Sequence, residues 1–207
     1  RLRTVTGVQT CALPILAVVG AAPAPPSPLA SLAVRNGQGA LVRPLDGGGN
    51  QPRLFLFLLH DCPAANGYAP EINRIVEAYP GVRTCVVYVE PDLTPAAARA
   101  HARDYRMTCG ILLDPEQRLA RAAGVTISPE AAVFSPRGEL LYRGRIDDRM
   151  AEPGKRRPEP TRRDLRLALD AVLAGKPVSE PRTRAIGCYL PELPSSPPDR
   201  KPQPTSP

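Results

Sequence analysis

The chain is 207 residues long, with a formal net charge of +7, 27 prolines, five cysteines and no tryptophan. That length suits one domain with a full core. No basic run is interleaved with aromatic residues, which excludes nucleic acid as a partner, and no Gly-rich phosphate loop or haem motif implies an organic cofactor.

In chain order, the stretch ILAVVGAAPAPP reads as the end of a signal peptide, an apolar run followed by small residues with Ala22-Pro23-Ala24. It predicts an exported chain, periplasmic or extracellular. The run is too short to cross a bilayer, so no transmembrane segment is expected. Residues 23–28 form a proline-rich linker, and SLAVRNGQGALVRPL predicts a hairpin of two short strands around Gly37-Gln38-Gly39. Residues 54–59 are an unbroken apolar run of strand length, the mark of a strand buried on both faces. The run ends at His60-Asp61-Cys62-Pro63, after which Ala69, Ile72, Ile75, Val76 and Tyr79 recur at helical spacing. A cysteine between a buried strand and a helix start meets free N–H groups and the positive end of the helix dipole, which favour the reactive thiolate. Cys62 is therefore the candidate nucleophile. His60 and Asp61 adjoin it as groups able to tune its pKa or relay a proton, although the charge of Asp61 opposes the dipole.

Residues 82–89 predict a second buried strand in which Cys85 is a small hydrophobe. Thr94 and Pro95 open a helix as N-cap and first helical residue, and His101 on it reads as a surface or packing residue. Residues 110–113 form a short strand, after which Asp114-Pro115-Glu116-Gln117 is expected to cap a helix ending at Gly124. Residues 131–134 and 139–142 make a hairpin around Pro136-Arg137-Gly138. Thr161 is expected to cap a last helix with the stripe Leu165, Ala168, Leu169, Val172 and Leu173, ended by Gly175. Between them, Arg143, Arg145, Asp147, Asp148 and Arg149 read as a solvated, salt-bridged loop, with packing over the Cys62 pocket as the alternative.

The run DCPAANGYAPEI, with Pro63 in the first turn and Pro70 further along the helix, resembles the active-site segment of the thioredoxin fold. Within that superfamily it is most similar to the redoxin and peroxiredoxin-like branch, which carries a signature similar to Tyr142-Arg-Gly-Arg-Ile-Asp-Asp148. Thioredoxins place a second cysteine where this chain has Ala65, copper-delivery relatives where it has Asn66, and peroxiredoxins carry a threonine where it has Leu59. The resemblance implies an α/β thioredoxin-like fold: a central mixed sheet flanked by helices, with an N-terminal β-hairpin. It also implies a cis bond at Ser128-Pro129, with Pro63, Ser128 and Pro129 shaping a substrate groove. Residues 3–14, RTVTGVQTCALP, resemble a translated sequencing adapter, which sets Cys11 aside.

The chain accordingly divides into 1–29 (adapter-like, signal remnant and linker), a redoxin-like domain over 30–178, and a Cys-containing segment with a disordered proline-rich tail over 179–207. The expected chemistry is thiol–disulfide exchange or thiol-dependent peroxide reduction by Cys62, served by an external thiol reductant. Its partners are protein or small-molecule thiols, disulfides or peroxides. Cys188, on a segment with no core pattern that is free to swing, is the first choice to resolve Cys62; Cys109 is the competitor, and a Cys109–Cys188 pair is the second choice. No cofactor or metal is expected. Two other classes stand beside this reading. One is a copper-binding or delivery protein using His60, Cys62, His101 and Cys188 for a soft ion such as Cu(I), although their spacing matches no compact metal motif. The other is a non-catalytic redoxin-like binding module.

Overall fold

The computed structural model describes residues 28–46 and 49–193. The adapter-like segment, the signal-peptide reading at Ala22–Ala24, nearly all of the linker and the end of the proline-rich tail lie outside them.

The apolar run becomes the centre of the sheet. Strand β3 (Arg53–Leu58) has all six residues buried. It runs parallel to β4 (Arg83–Tyr88), with Leu56 opposite Val86. On its other side it is antiparallel to β7 (Glu130–Phe134), with Leu56 opposite Ala131. A strand flanked on both edges and covered on both faces favours apolar side chains along its length, and this explains why the run after Arg53 lacks alternation. Parallel to β4 lies β5 (Gly110–Leu113), and beyond it the predicted hairpin β1 (Val34–Asn36) and β2 (Leu41–Val42). β8 (Leu140–Gly144) closes the opposite edge, giving the order β2-β1-β5-β4-β3-β7-β8.

Helix α1 (Pro63–Asn66) and α2 (Ala69–Ala78) follow β3, α3 (Pro95–Asp104) follows β4, α4 (Arg118–Ala123) follows β5, and α5 (Asp164–Leu173) follows the β7–β8 hairpin. Short strand β6 (Ile127–Ser128) precedes β7, and a second small hairpin, β9 (Met150–Glu152) with β10 (Lys155–Arg156), precedes α5. The Ser128–Pro129 bond is cis. Parallel β3-β4-β5, an antiparallel β7-β8 pair, flanking helices and a cis proline before β7 together form the thioredoxin-like arrangement that the active-site segment resembles. Among the described residues, no helix is long and apolar enough to cross a membrane.

Several local signals act as expected. The Thr94 hydroxyl accepts from Ala97 N–H at the start of α3, and Gly124 ends α4 in the left-handed conformation. Others need correction. The helix after Cys62 is broken at Gly67–Tyr68, and Pro70 stands in the first turn of α2 instead of kinking one long helix. α4 begins at Arg118, with Gln117 as a left-handed N-cap. Asp114 still caps it from a distance, accepting from Arg118 and Ala120 N–H groups at 2.8 and 2.9 Å. Thr161 does not cap α5. Its hydroxyl and N–H both bind Asp148, and the helix starts at Asp164. Cys85 is only half-buried.

α2 and α5 are joined by a buried charge. Glu71 on α2 is 2% exposed and pairs with Arg74 at 2.5 Å and with Arg166 and Arg163 from the start of α5 at 2.8 and 3.4 Å. Burial alone would raise its pKa. Hydrogen bonds from Arg166 and Arg74 overcome that and hold it below the ordinary value of 4.5. A carboxyl depressed on folding contributes stability above its unfolded pKa and loses it as pH falls through the folded one. Glu71→Gln should therefore cost about 1–3 kcal/mol at neutral pH, read from the urea midpoint. The gap between variant and parent should narrow as the pH is taken well below 4.5.

Candidate active site

The end of β3 is tied to the cis proline. Leu59 N–H donates to Ser128 Oγ at 2.8 Å, and Cys62 N–H donates to Leu59 O at 3.2 Å, turning the chain into α1. Cys62 is the extended N-cap of that short helix and Pro63 its first residue. Cys62 is 2% exposed and Ser128 is fully buried. Cys62 Sγ lies 3.5 Å from the Ser128 carbonyl oxygen.

Cys62 forms a disulfide with Cys188 across 126 residues of sequence, with Cα atoms 6.3 Å apart. Its sulfur carries no hydrogen in this state, so the approach to Ser128 O is a contact. On reduction the thiol gains an acceptor there. Cys188 begins β11 (Cys188–Tyr189), which pairs antiparallel with β6, Cys188 opposite Ser128 and Tyr189 opposite Ile127. Gly187 lies against Ser128 so closely that a Cβ there would overlap the carbonyl. The residue before the cis proline is thus enclosed by the sulfur of Cys62 and the backbone of residues 187–189.

The C-terminal segment is not the free-swinging tail its composition suggests. Arg143 N–H donates to Pro181 O at 2.9 Å, and Thr183 N–H returns to Arg143 O at 3.1 Å. The Thr183 hydroxyl meets Tyr142 Oη at 2.7 Å. Beyond the cysteine, Leu190 N–H donates to Thr126 O at 3.1 Å, and the Gln117 side chain donates to Pro191 O at 2.7 Å. Residues 181–191 therefore form a strap anchored on both sides of Cys188.

The loop after β8 is also built into this face, so the reading of it as merely solvated is corrected. Asp147 accepts from Tyr68 Oη at 2.7 Å, and the Arg156 guanidinium donates to Gly67 O at 3.3 Å, each reaching the α1–α2 break. Burial, with the Asp147 contact, keeps the Tyr68 phenol protonated. Tyr68, Pro129, Ile146, Met150 and Ile186 converge between loop, cis proline and strap.

His60 and Asp61 are exposed beside the disulfide. His60 N–H and Nδ1 both meet Glu90 Oε1, at 2.5 and 2.9 Å. Ligand atoms of His60, Asp61 and Glu90 lie within 4.8 Å of one another, the described group able to hold a cation. His101 is buried, the packing alternative of its sequence reading. Its ring nitrogens meet Tyr88 Oη at 2.7 Å and Asn66 Oδ1 at 2.9 Å, and Asn66 donates to His60 O at 3.0 Å. Burial, then the charge of His60, push its pKa down. The copper set His60, Cys62, His101 and Cys188 is not assembled in this state: the two sulfurs are bonded to each other and both His101 nitrogens are engaged.

Glu90 and Gly187 escaped the sequence reading, and Asn66 and Gln117 were read there without their roles at this site. Glu90 carried a usable signal, because it follows a buried strand parallel to β3, and the carboxyl ends of parallel strands collect along one edge.

Cys109 does not compete for Cys188. It lies before β5 at the opposite end of the sheet, where it lines a cavity of about 380 Å³ with Cys85, Arg43, Arg53, Arg83 and Phe55. Both thiols are free.

No family model matches the chain, and no curated protein does. Among solved structures it is similar to an uncharacterised conserved protein from Geobacillus kaustophilus, at 27% identity and a TM-score of 0.68 over 84% of this chain and 92% of that one. It is also similar to a hypothetical protein from Sinorhizobium meliloti 1021, at 25% identity and a TM-score of 0.66 over 77% and 89%. A secreted disulfide oxidoreductase from Mycobacterium tuberculosis matches over 54% of this chain and 81% of that one, at 18% identity and a TM-score of 0.46.

Burial raises both free thiols, and the Cys109 thiol, also facing Cys85, is pushed up to about 11. At pH 8 the thiolate needed for alkylation is scarce. Higher intrinsic nucleophilicity offsets only part of that deficit, so iodoacetamide should label Cys109 at least about tenfold more slowly in the native protein than after unfolding, measured by peptide mapping.

Proposed function

We propose that this thioredoxin-fold protein is a thiol–disulfide oxidoreductase whose exchanging sulfurs are Cys62 and Cys188, acting in an oxidising, exported compartment. The observation that carries the reading is the disulfide between the N-cap cysteine of α1 and the strap, formed directly against the cis proline. It supplies within one chain the second thiol that the missing Cys-x-x-Cys would otherwise provide. Such a pair cycles between two states. Oxidised, it accepts two electrons from two external thiols, which leave as a disulfide. Reduced, it passes them to another disulfide. A disulfide as the resting state also fits an oxidising compartment.

Ser128 and Pro129 form the floor of the groove in which the sulfurs meet, and Pro63 starts the helix whose first-turn N–H groups favour a thiolate at Cys62. Burial and the Ser128 carbonyl oppose ionisation there, so a proton acceptor is needed. His60, held by Glu90, and Asp61 are the exposed groups adjoining the cysteine that can take that role. Peroxide reduction would use the same pair: attack of one thiolate of the pair on a peroxide gives a sulfenic acid and an alcohol, and the other thiol then condenses with it, releasing water.

The test is reduction of a small disulfide, hydroxyethyl disulfide, by glutathione. The wild type should accelerate it, and Cys62→Ser and Cys188→Ser should each drop to the uncatalysed rate. Both variants lose the cross-link, so the reduced wild type is their reference for stability. Wild-type rates in either variant defeat the proposal. Hydrogen peroxide consumption, followed in the same three proteins, decides whether the peroxidase reaction is present.

A further inference from the structure

The two sulfurs are not equivalent, and the helix N-terminus points to the wrong one as the point of contact with the outside. We infer that Cys188 is the sulfur that meets an external thiol or disulfide, and that Cys62 is the inner sulfur, which leaves and later resolves. This rests on the reading of the pair as an exchanging one.

Access carries the argument, since exchange depends on which sulfur an incoming thiolate can reach. Cys62 is 2% exposed, and its neighbours Leu59, Ala65 and Ser128 are buried with it. The strap covers the remaining side. Cys188 is half-buried, and the next residue, Tyr189, is 82% exposed. Reduction does not by itself uncover Cys62, because the strap is held by bonds independent of the disulfide. Pro181 and Thr183 are tied to Arg143 on one side, and Leu190 and Pro191 to Thr126 and Gln117 on the other. Gly187 closes the gap next to the cysteine by lying on the Ser128 carbonyl.

The reaction then runs in a definite order. An external thiolate attacks Cys188 Sγ and a new S–S bond forms. The bond to Cys62 breaks, and its electron pair stays on the Cys62 sulfur. A second external thiolate attacks the external sulfur of the mixed disulfide and releases Cys188, which takes up a proton. Two thiols leave as one disulfide, and the protein pair is reduced. In reverse, Cys188 attacks an external disulfide, and Cys62, held beside it, displaces the bound half. The same geometry selects the partner. β6 is already paired with β11, so an extended polypeptide cannot add to it as a strand while the strap is seated. The thiol that fits is small and flexible.

Oxidised full-length protein, pulsed briefly with glutathione, quenched with acid, unfolded, alkylated and mapped by mass spectrometry, tests the order. The glutathione adduct should fall on Cys188, with Cys62 alkylated, by at least about tenfold over the opposite pattern. An adduct on Cys62, or an even division, overturns the inference while leaving the exchange reaction intact. A native disulfide that glutathione never opens overturns the functional reading and this inference together. Gly187→Val, which retains both cysteines but cannot seat against Ser128, should shift adducts toward Cys62. An unchanged ratio in that variant would show that the strap is not what shields it.

Discussion

Ser128 holds the active face together. Its hydroxyl accepts the N–H of Leu59, the residue just after the central strand, its backbone pairs with the strap, its carbonyl faces the sulfur of Cys62, and the cis bond to Pro129 follows it. These contacts come from parts of the chain far apart in sequence, and a fully buried polar residue tolerates no unsatisfied group. Ser128 thus touches both of the segments that carry the bonded cysteines. Glu130 steadies the approach to it: buried, with its pKa raised by that burial, it accepts from Thr126 and Ile127 N–H groups and pairs with Arg143 at 3.5 Å.

The arginine excess has a similar structural use. Arg145 and Arg162 converge on buried Asp164, and Arg157 on Asp148. Asp148 also accepts from the backbone of Thr161 and Arg162. Burial opposes its ionisation, and the hydrogen bonds from Thr161 and Arg162 prevail, holding its pKa below the usual value. Buried carboxylates of this kind need several donors, and guanidinium groups with part of their surface in water supply them at low desolvation cost. Part of the positive charge is therefore used to fasten loops over the β8 side of the sheet.

The parallel strands separate two sets of cysteines. Carboxyl ends of β3 and β4 carry Cys62, His60 and Glu90. Amino ends of β4 and β5 carry Cys85 and Cys109, whose thiols burial keeps protonated. A thiol count alone would treat these alternatives as equal. Strand direction makes them chemically distinct, because only the first set adjoins a helix start, a cis proline and a second cysteine held in place.

The fold was legible in the sequence wherever the determinant was local. The apolar run of β3, the Thr94 cap, the Gly124 terminator and the Leu165, Ala168 and Leu169 stripe of α5 each act through residues within a few positions, where propensity and periodicity are read directly; Leu173, expected on that stripe, is exposed. The strand-to-helix position of Cys62 was legible for the same reason, and the cis bond at Ser128-Pro129 was legible from the family resemblance. Tertiary structure alone decided what the distant groups do. Thr161 looked like a cap and instead binds Asp148. Gln117 looked like part of a capping box and instead holds Pro191. His101 read as either a surface or a packing residue, and it packs, buried between Tyr88 and Asn66. The strap has no hydrophobic period, because it is held by backbone bonds to β6 and β8 and by a bond across 126 residues. Backbone pairing leaves little trace in side-chain pattern, so sequence alone could make Cys62 reactive on paper, but only the folded chain could cover it.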